Sequence, residues 1–150
     1  MQFFLMQRNH QVAVIEIAEK TGDILDVAEV LSAQRIPLDA KHNDGSFDVL
    51  SLRKWWAGRG IPASRFGLEH ALETLHIPYA ELLLVKCSGL SLSDQYWVMP
   101  CDAPQNWHDV NSYENDFSDD VGRALLGEGI LSAQPDLCSP CNTSDGFLQK

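Results

Sequence analysis

The stretch that decides the fold is residues 3–31, FFLMQRNHQVAVIEIAEKTGDILDVAEVL. Its apolar runs at 3–6 and 12–17 are separated by polar, turn-forming residues, and a second turn contains Gly22. The third run, at 24–31, has a spacing that fits either a strand or a short helix. The two preceding turns favour a strand, so the stretch predicts a small antiparallel β-meander.

Helical spacing replaces strand spacing from Ser51 onward. We expect Ser51 to cap a first helix that ends at Gly58. Further helices are predicted at residues 66–75, 78–85 and 121–126. The predicted fold class is therefore α+β: a small antiparallel β-meander followed by a cluster of short helices, with a loop-like C-terminal tail. The expected division is an α+β module at 1–127 and a linker and tail at 128–150.

Composition narrows the class of protein. The 150 residues are 45% hydrophobic and 21% charged, which is typical of one globular domain with its own core. The net charge of −10 repels phosphate backbones and anionic membrane surfaces, so it disfavours direct nucleic-acid binding. No run approaches the ~18 apolar residues that span a bilayer. No basic segment precedes the first apolar run, so we expect a cytoplasmic protein.

The cysteines do not form a recognisable metal or redox motif. Cys138 and Cys141 make a C-x-x-C pair, but neither a second pair nor a histidine pair completes a zinc site. Cys87 and Cys101 lie far from that pair in the sequence. We expect free, reduced thiols, with a zinc site as the alternative.

The adjacent residues Trp55 and Trp56 cannot both face one core on a helix, because neighbouring positions point about 100° apart. In one interpretation both rings pack inside the protein, with one of them against another element. In the other, one ring makes an intermolecular contact. Arg59 belongs to a basic group with Arg53, Lys54 and Arg65. The spacing of that group favours a solvated helix face over an anion-binding patch.

Two segments look superficially like catalytic or metal sites. His108, Asp109 and Asn111 suggest a kinase catalytic loop, but the Asp and Asn of such a loop lie about five residues apart. Capping of turns is the better interpretation. Glu69 and Glu73, with the neighbouring histidine at position 70, have no supporting second segment, so a solvated helix face is expected.

A resemblance to a known family rests on three motifs. The stretch GLSLSDQYWVMP at 89–100 combines a turn glycine, small hydroxyl residues, an Asp-Gln pair and an aromatic pair before a proline. IPASR at 61–65 and NDFS at 115–118 accompany it. With these motifs the chain resembles the N-terminal region of HipA-like serine/threonine kinases of Gram-positive bacteria and their mobile elements. The resemblance is strongest over residues 50–127 and 139–150.

The resemblance also implies a role for the tail. The segment at 139–146 is similar to one that, in these kinases, leads into the catalytic lobe and looks like the phosphate-covering loop. It implies nucleotide-loop-like positions at Thr143, Ser144, Asp145 and Gly146. The residues that hold ATP and magnesium in these kinases would follow Lys150, so this chain alone is expected to have no catalytic residue, cofactor or metal.

The implied function is that of a non-catalytic N-terminal module of a toxin–antitoxin type kinase. It would act by protein–protein contact with a kinase core, in cis or in trans. The alternative is a stand-alone binding or inhibitor protein of a phage or mobile element that reuses the module. The interaction candidates are Trp55, Trp56, Arg59, Tyr96 and Trp97. If Tyr96 and Trp97 are buried, they hold the helical cluster against the meander instead.

Overall fold

A computed structural model describes residues 1–60, 67–91, 94–111 and 113–115. Four strands form one antiparallel sheet in the order β3-β2-β1-β4: β1 (Gln2–Gln7), β2 (His10–Ile17), β3 (Ile24–Val30) and β4 (Tyr96–Pro100). Four α-helices accompany the sheet: α1 (Val49–Arg59), α2 (Leu68–Leu75), α3 (Ala80–Lys86) and α4 (Trp107–Val110). The predicted α+β class is confirmed.

The meander predicted from residues 3–31 forms as β1, β2 and β3. Gln7 and His10 are opposite each other in the register, so β1 and β2 are joined by a tight turn in which Arg8 has φ +52°. The next turn contains Gly22 with φ +80°. A Cβ at Gly22 would lie 2.5 Å from the backbone of Glu81, so this turn packs directly against the first residues of α3.

The strand β4 was not predicted from the sequence. It pairs antiparallel with β1, with Gln7 opposite Tyr96 and Phe3 opposite Pro100. A segment distant in the sequence therefore extends the meander into a four-stranded sheet. Pro100 has no backbone N–H to donate. This is tolerated because β4 is an edge strand and pairs with a neighbour on one side only.

Apolar side chains are buried on both faces of the sheet. One cluster combines residues of β1 and β2 with Leu52 and Trp56 of α1 and Leu84 of α3. The other contains Met6 of β1, Trp97 and Met99 of β4, and three buried residues before and after β4: Cys87, Leu90 and Trp107. The sheet thus lies between two apolar clusters, and β4 contributes to both.

Helix α1 begins earlier than predicted. Asp48 is its N-cap, and its carboxylate accepts a hydrogen bond of 2.7 Å from the backbone N–H of Ser51. The Ser51 hydroxyl accepts in return from the backbone N–H of Asp48 at 3.0 Å. Ser51 is therefore the third residue of a reciprocal capping box, so its prediction as the N-cap was wrong.

Smaller boundary differences occur elsewhere. Helix α3 begins at Ala80 rather than at Pro78. A short 3-10 helix, Leu38–Ala40, follows Pro37. The helix predicted at 121–126 and the tail at 128–150 lie outside the described residues.

None of the helices in the described part of the chain is long and apolar enough to cross a membrane.

Candidate interaction site

The most elaborate polar arrangement among the described residues centres on Arg59, the last residue of α1. Its side chain is only 7% exposed. One guanidinium nitrogen donates to Asp94 at 2.5 Å, and the other donates to the carbonyl oxygens of Gly89 at 2.6 Å and Tyr96 at 3.1 Å. Arg59 therefore ties the end of α1 to the loop after α3 and to the start of β4.

One aromatic ring faces this guanidinium, and a second ring packs against the first. The Arg59 guanidinium carbon lies 5.0 Å from the ring centroid of Trp55, within cation–π range. Tyr96 meets Trp55 edge to face, with 5.6 Å between the ring centroids. We call Trp55, Arg59, Asp94 and Tyr96 the aromatic cluster.

Hydrogen bonds hold Tyr96 on its other side. Its hydroxyl donates to the backbone carbonyl of Arg35 at 2.6 Å, and Gln7 lies within hydrogen-bond distance of the same oxygen. Arg35 in turn donates to the Gln7 side chain at 2.9 Å. Burial, aided by the negative charge of Asp94, raises the pKa of Tyr96, so the phenol remains a hydrogen-bond donor at neutral pH.

Asp94 holds the segment that leads into β4. Besides accepting from Arg59, its carboxylate accepts a hydrogen bond of 3.0 Å from the backbone N–H of Tyr96. Its backbone carbonyl accepts from the hydroxyl of Tyr113 at 3.1 Å. One carboxylate thus neutralises a buried cation and fixes the turn in front of the aromatic pair.

Trp55 and Trp56 occupy different environments, as the helical geometry requires. Trp56 is fully buried and donates its indole N–H to the carbonyl of Gly22 at 2.8 Å. Trp55 is only half-buried and packs at the edge of the same core. The ring of Trp55 is therefore the one that solvent or a partner can reach.

Trp97 lies apart from this cluster, on the other face of the sheet. It is completely buried, and its indole N–H donates to the carbonyl of Arg8 at 2.6 Å. Its ring packs against that of Trp107, with 6.2 Å between the centroids. Trp97 and Trp56 are therefore core residues, whereas Trp55, Arg59 and Tyr96 come together.

The solvated-face interpretation of the basic group was wrong for Arg59, which is buried. Arg53 and Lys54 are exposed, and Arg53 lies 3.6 Å from Asp23. Arg65 lies outside the described residues. Arg53 and Lys54 therefore lie on a solvated helix face as expected, whereas Arg59 is buried and pairs with Asp94.

The expectation of reduced thiols was wrong for Cys87, which is disulfide-bonded. Cys101 is a free thiol, and burial is the main cause that raises its pKa. The remaining cysteines and the loop-like positions Thr143, Ser144, Asp145 and Gly146 lie outside the described residues.

The segment that resembles a catalytic loop forms local hydrogen bonds. The Asn111 side-chain oxygen accepts from the backbone N–H groups of Tyr113 at 3.0 Å and Glu114 at 2.9 Å, as the capping interpretation expected. His108 lies 3.1 Å from Glu114. Hydrogen bonds from Asn111 and His108 lower the pKa of Glu114. Within the described residues no group of three or more histidine, cysteine or acidic side chains could hold a metal ion.

Sequence reasoning missed Asp94, Gln7 and Arg35. A local signal existed for Asp94, since an aspartate two residues before a strand often accepts from the strand's first N–H group. Its pairing with Arg59 spans 35 positions, which no periodicity reveals.

No protein-family model, curated protein or solved structure matches the chain.

Proposed function

We propose that this chain is the non-catalytic N-terminal module of a HipA-like serine/threonine kinase and that it binds the kinase core by protein–protein contact. The observation that carries the binding role is the half-buried ring of Trp55, which contacts both the guanidinium of Arg59 and the ring of Tyr96. The kinase relationship itself rests on the sequence motifs. The kinase core would be supplied in cis or in trans.

The composition of the aromatic cluster suits an interface anchor. Tryptophan, tyrosine and arginine are the residues most enriched among those that dominate binding energy. Trp55 is already immobilised by its neighbours, so binding would cost little additional side-chain entropy. The acidic balance of the chain favours a protein partner over nucleic acid.

The chemistry of the aromatic cluster supports binding rather than catalysis. Its cation is neutralised by Asp94, and its tyrosine hydroxyl donates to a backbone carbonyl. We propose that the chain by itself does not transfer phosphate from ATP. Incorporation of radiolabelled phosphate that depends on a residue of this chain would contradict this part of the proposal.

The binding test uses a HipA-like kinase core that lacks its own N-terminal region. The purified chain should co-elute with this core in size-exclusion chromatography, and Trp55→Ala should weaken binding by at least about tenfold. Tyr79→Ala is the matched control, because Tyr79 is 49% exposed and lies outside the aromatic cluster. Both variants are first compared with the natural chain by thermal melting.

Hydrogen exchange gives a second measurement that does not depend on a variant's folding. Addition of the core should slow exchange at residues 53–59 and 94–97 of the natural chain. No co-elution would overturn the kinase partnership and favour a stand-alone binding protein. Co-elution with equal effects of Trp55→Ala and Tyr79→Ala would place the contact outside the aromatic cluster.

A further inference from the structure

A second surface, which shares no residue with the aromatic cluster, is the groove beside the C-terminal half of α2. The groove has a volume of about 470 Å³, which is within the ~300–1,000 Å³ range of pockets that bind ligands. Its lining is mostly apolar and is made by Glu69, Leu72, Glu73, His76, Ile77 and Pro78. The groove is shallow and largely open to solvent, so it suits a chain segment better than an enclosed small molecule.

Two carboxylates lie at this groove. Glu69 and Glu73 are both exposed and lie one helical turn apart on α2, where like charges repel each other. In the part of the chain that the structure describes, neither forms an ion pair. Helix α2 carries no lysine or arginine that could relieve the repulsion. A cation from outside would therefore be favoured here.

From this combination we infer that the groove binds a partner segment in which an aliphatic side chain lies next to lysine or arginine. The aliphatic group covers Leu72 and Pro78, while the basic group lies between the two carboxylates. In helix-in-groove recognition an amphipathic helix places its apolar side chains in a hydrophobic groove. The inference concerns this surface alone and does not depend on a kinase core as the partner.

Other occupants fit the groove less well. Within the described residues the glutamates are not part of a group that could hold a metal ion. Nucleic acid would be repelled by both carboxylates. A neutral apolar ligand would leave their mutual repulsion unchanged, whereas a basic segment removes it.

The test measures binding of a fluorescent amphipathic leucine/lysine peptide to the full chain by anisotropy and by NMR chemical-shift mapping. The expected result is shifts at residues 69–78 and binding that weakens as salt is added. The double variant Glu69→Gln/Glu73→Gln should bind about tenfold more weakly, since it loses two ion pairs. Glu29→Gln/Asp39→Asn removes the same charge elsewhere and should bind as the natural chain does.

A second peptide separates the apolar contact from general charge attraction. It keeps every lysine but has serine in place of leucine, and it should bind at least about tenfold more weakly than the leucine peptide. Equal binding of the two peptides, equal weakening by both double variants, or shifts confined to other residues would each overturn the inference. Because no kinase core is used, these outcomes are independent of the test under the proposed function.

Discussion

Gly89 lies against the indole ring of Trp56, so closely that a Cβ at Gly89 would be 2.8 Å from ring atoms Cζ3 and Cη2. Gly89 also has φ +66°, in the left-handed region that favours glycine. On another side, Trp56 donates its indole N–H to Gly22. Backbone from two different parts of the chain thus contacts one buried tryptophan, and at Gly89 this close approach depends on the absence of a side chain.

Gly89→Ala should destabilise the protein by about 1–3 kcal/mol, because the added methyl group must displace a fully buried ring and occupy a positive φ. Gly58→Ala in α1 is the matched control, since a Cβ there meets nothing within 4 Å. That change should stabilise the helix by about 0.5–1 kcal/mol. Urea unfolding of both variants checks the prediction, which fails if Gly89→Ala is as stable as the natural chain.

The sequence predicted the meander because its β-branched runs and turns are local signals. It did not predict β4, where Tyr96 and Val98 belong to one side of the sheet while Trp97 and Met99 pack in the other cluster. With apolar residues required on both faces, no alternation of polar and apolar residues remains to mark a strand.

The candidate site was predictable only in part, for a similar reason. The angle between successive helical residues showed that Trp55 and Trp56 must point in different directions. Arg59 looked like part of a solvated face, because the residue that neutralises it, Asp94, is remote in the sequence. Helical spacing predicts which residues share a face but not which distant carboxylate covers a cation.

Trp97→Ala should destabilise the protein by roughly 3–5 kcal/mol, because the ring is completely buried and its removal leaves a large cavity. Trp97→Phe, which keeps most of the apolar volume but loses the hydrogen bond to Arg8, should cost clearly less. Thermal and urea unfolding provide the comparison. An unchanged melting temperature for Trp97→Ala would show that the second apolar cluster does not contribute to stability.

The pairing of Arg59 with Asp94 should give a coupling energy of about 1–3 kcal/mol in a double-mutant cycle of Arg59→Ala and Asp94→Ala. The coupling is substantial because the arginine side chain is 7% exposed. Arg53 and Asp23 form the control pair, at 3.6 Å with Arg53 49% exposed, and should couple by less than about 1 kcal/mol. If the two cycles gave equal coupling energies, burial of Arg59 would not be what strengthens its pairing with Asp94.

His76 follows α2 as its C-cap and has φ +58°, in the left-handed conformation that glycine adopts without strain. His76→Gly should therefore stabilise the protein by about 0.5–1 kcal/mol. His70→Gly, within the same helix and also at an exposed position, should instead destabilise by about 1 kcal/mol. Chemical denaturation of the pair checks the prediction, which is wrong if both changes have the same sign.

Asp48 makes part of the stability depend on pH. The backbone N–H of Ser51 is the main cause that lowers the pKa of Asp48 below its ordinary value of 3.8. Because the pKa of Asp48 is lowered in the folded state, its ionised carboxylate stabilises the fold above pH 3.8. This stabilisation is lost as the pH falls through the pKa that Asp48 has in the folded protein. The melting temperatures of the natural chain and of Asp48→Ala should therefore differ at neutral pH and converge in acid.

Asp48→Asn separates this titration from the cap itself, because asparagine also accepts from the N–H groups of a helix start but does not ionise. The difference in melting temperature between Asp48→Asn and Asp48→Ala should stay constant while the pH is lowered from about 7 to about 2. The difference between the natural chain and Asp48→Ala should shrink over the acidic part of that range. If both differences shrink together, other carboxylates cause the acid sensitivity, and the capping box at α1 does not.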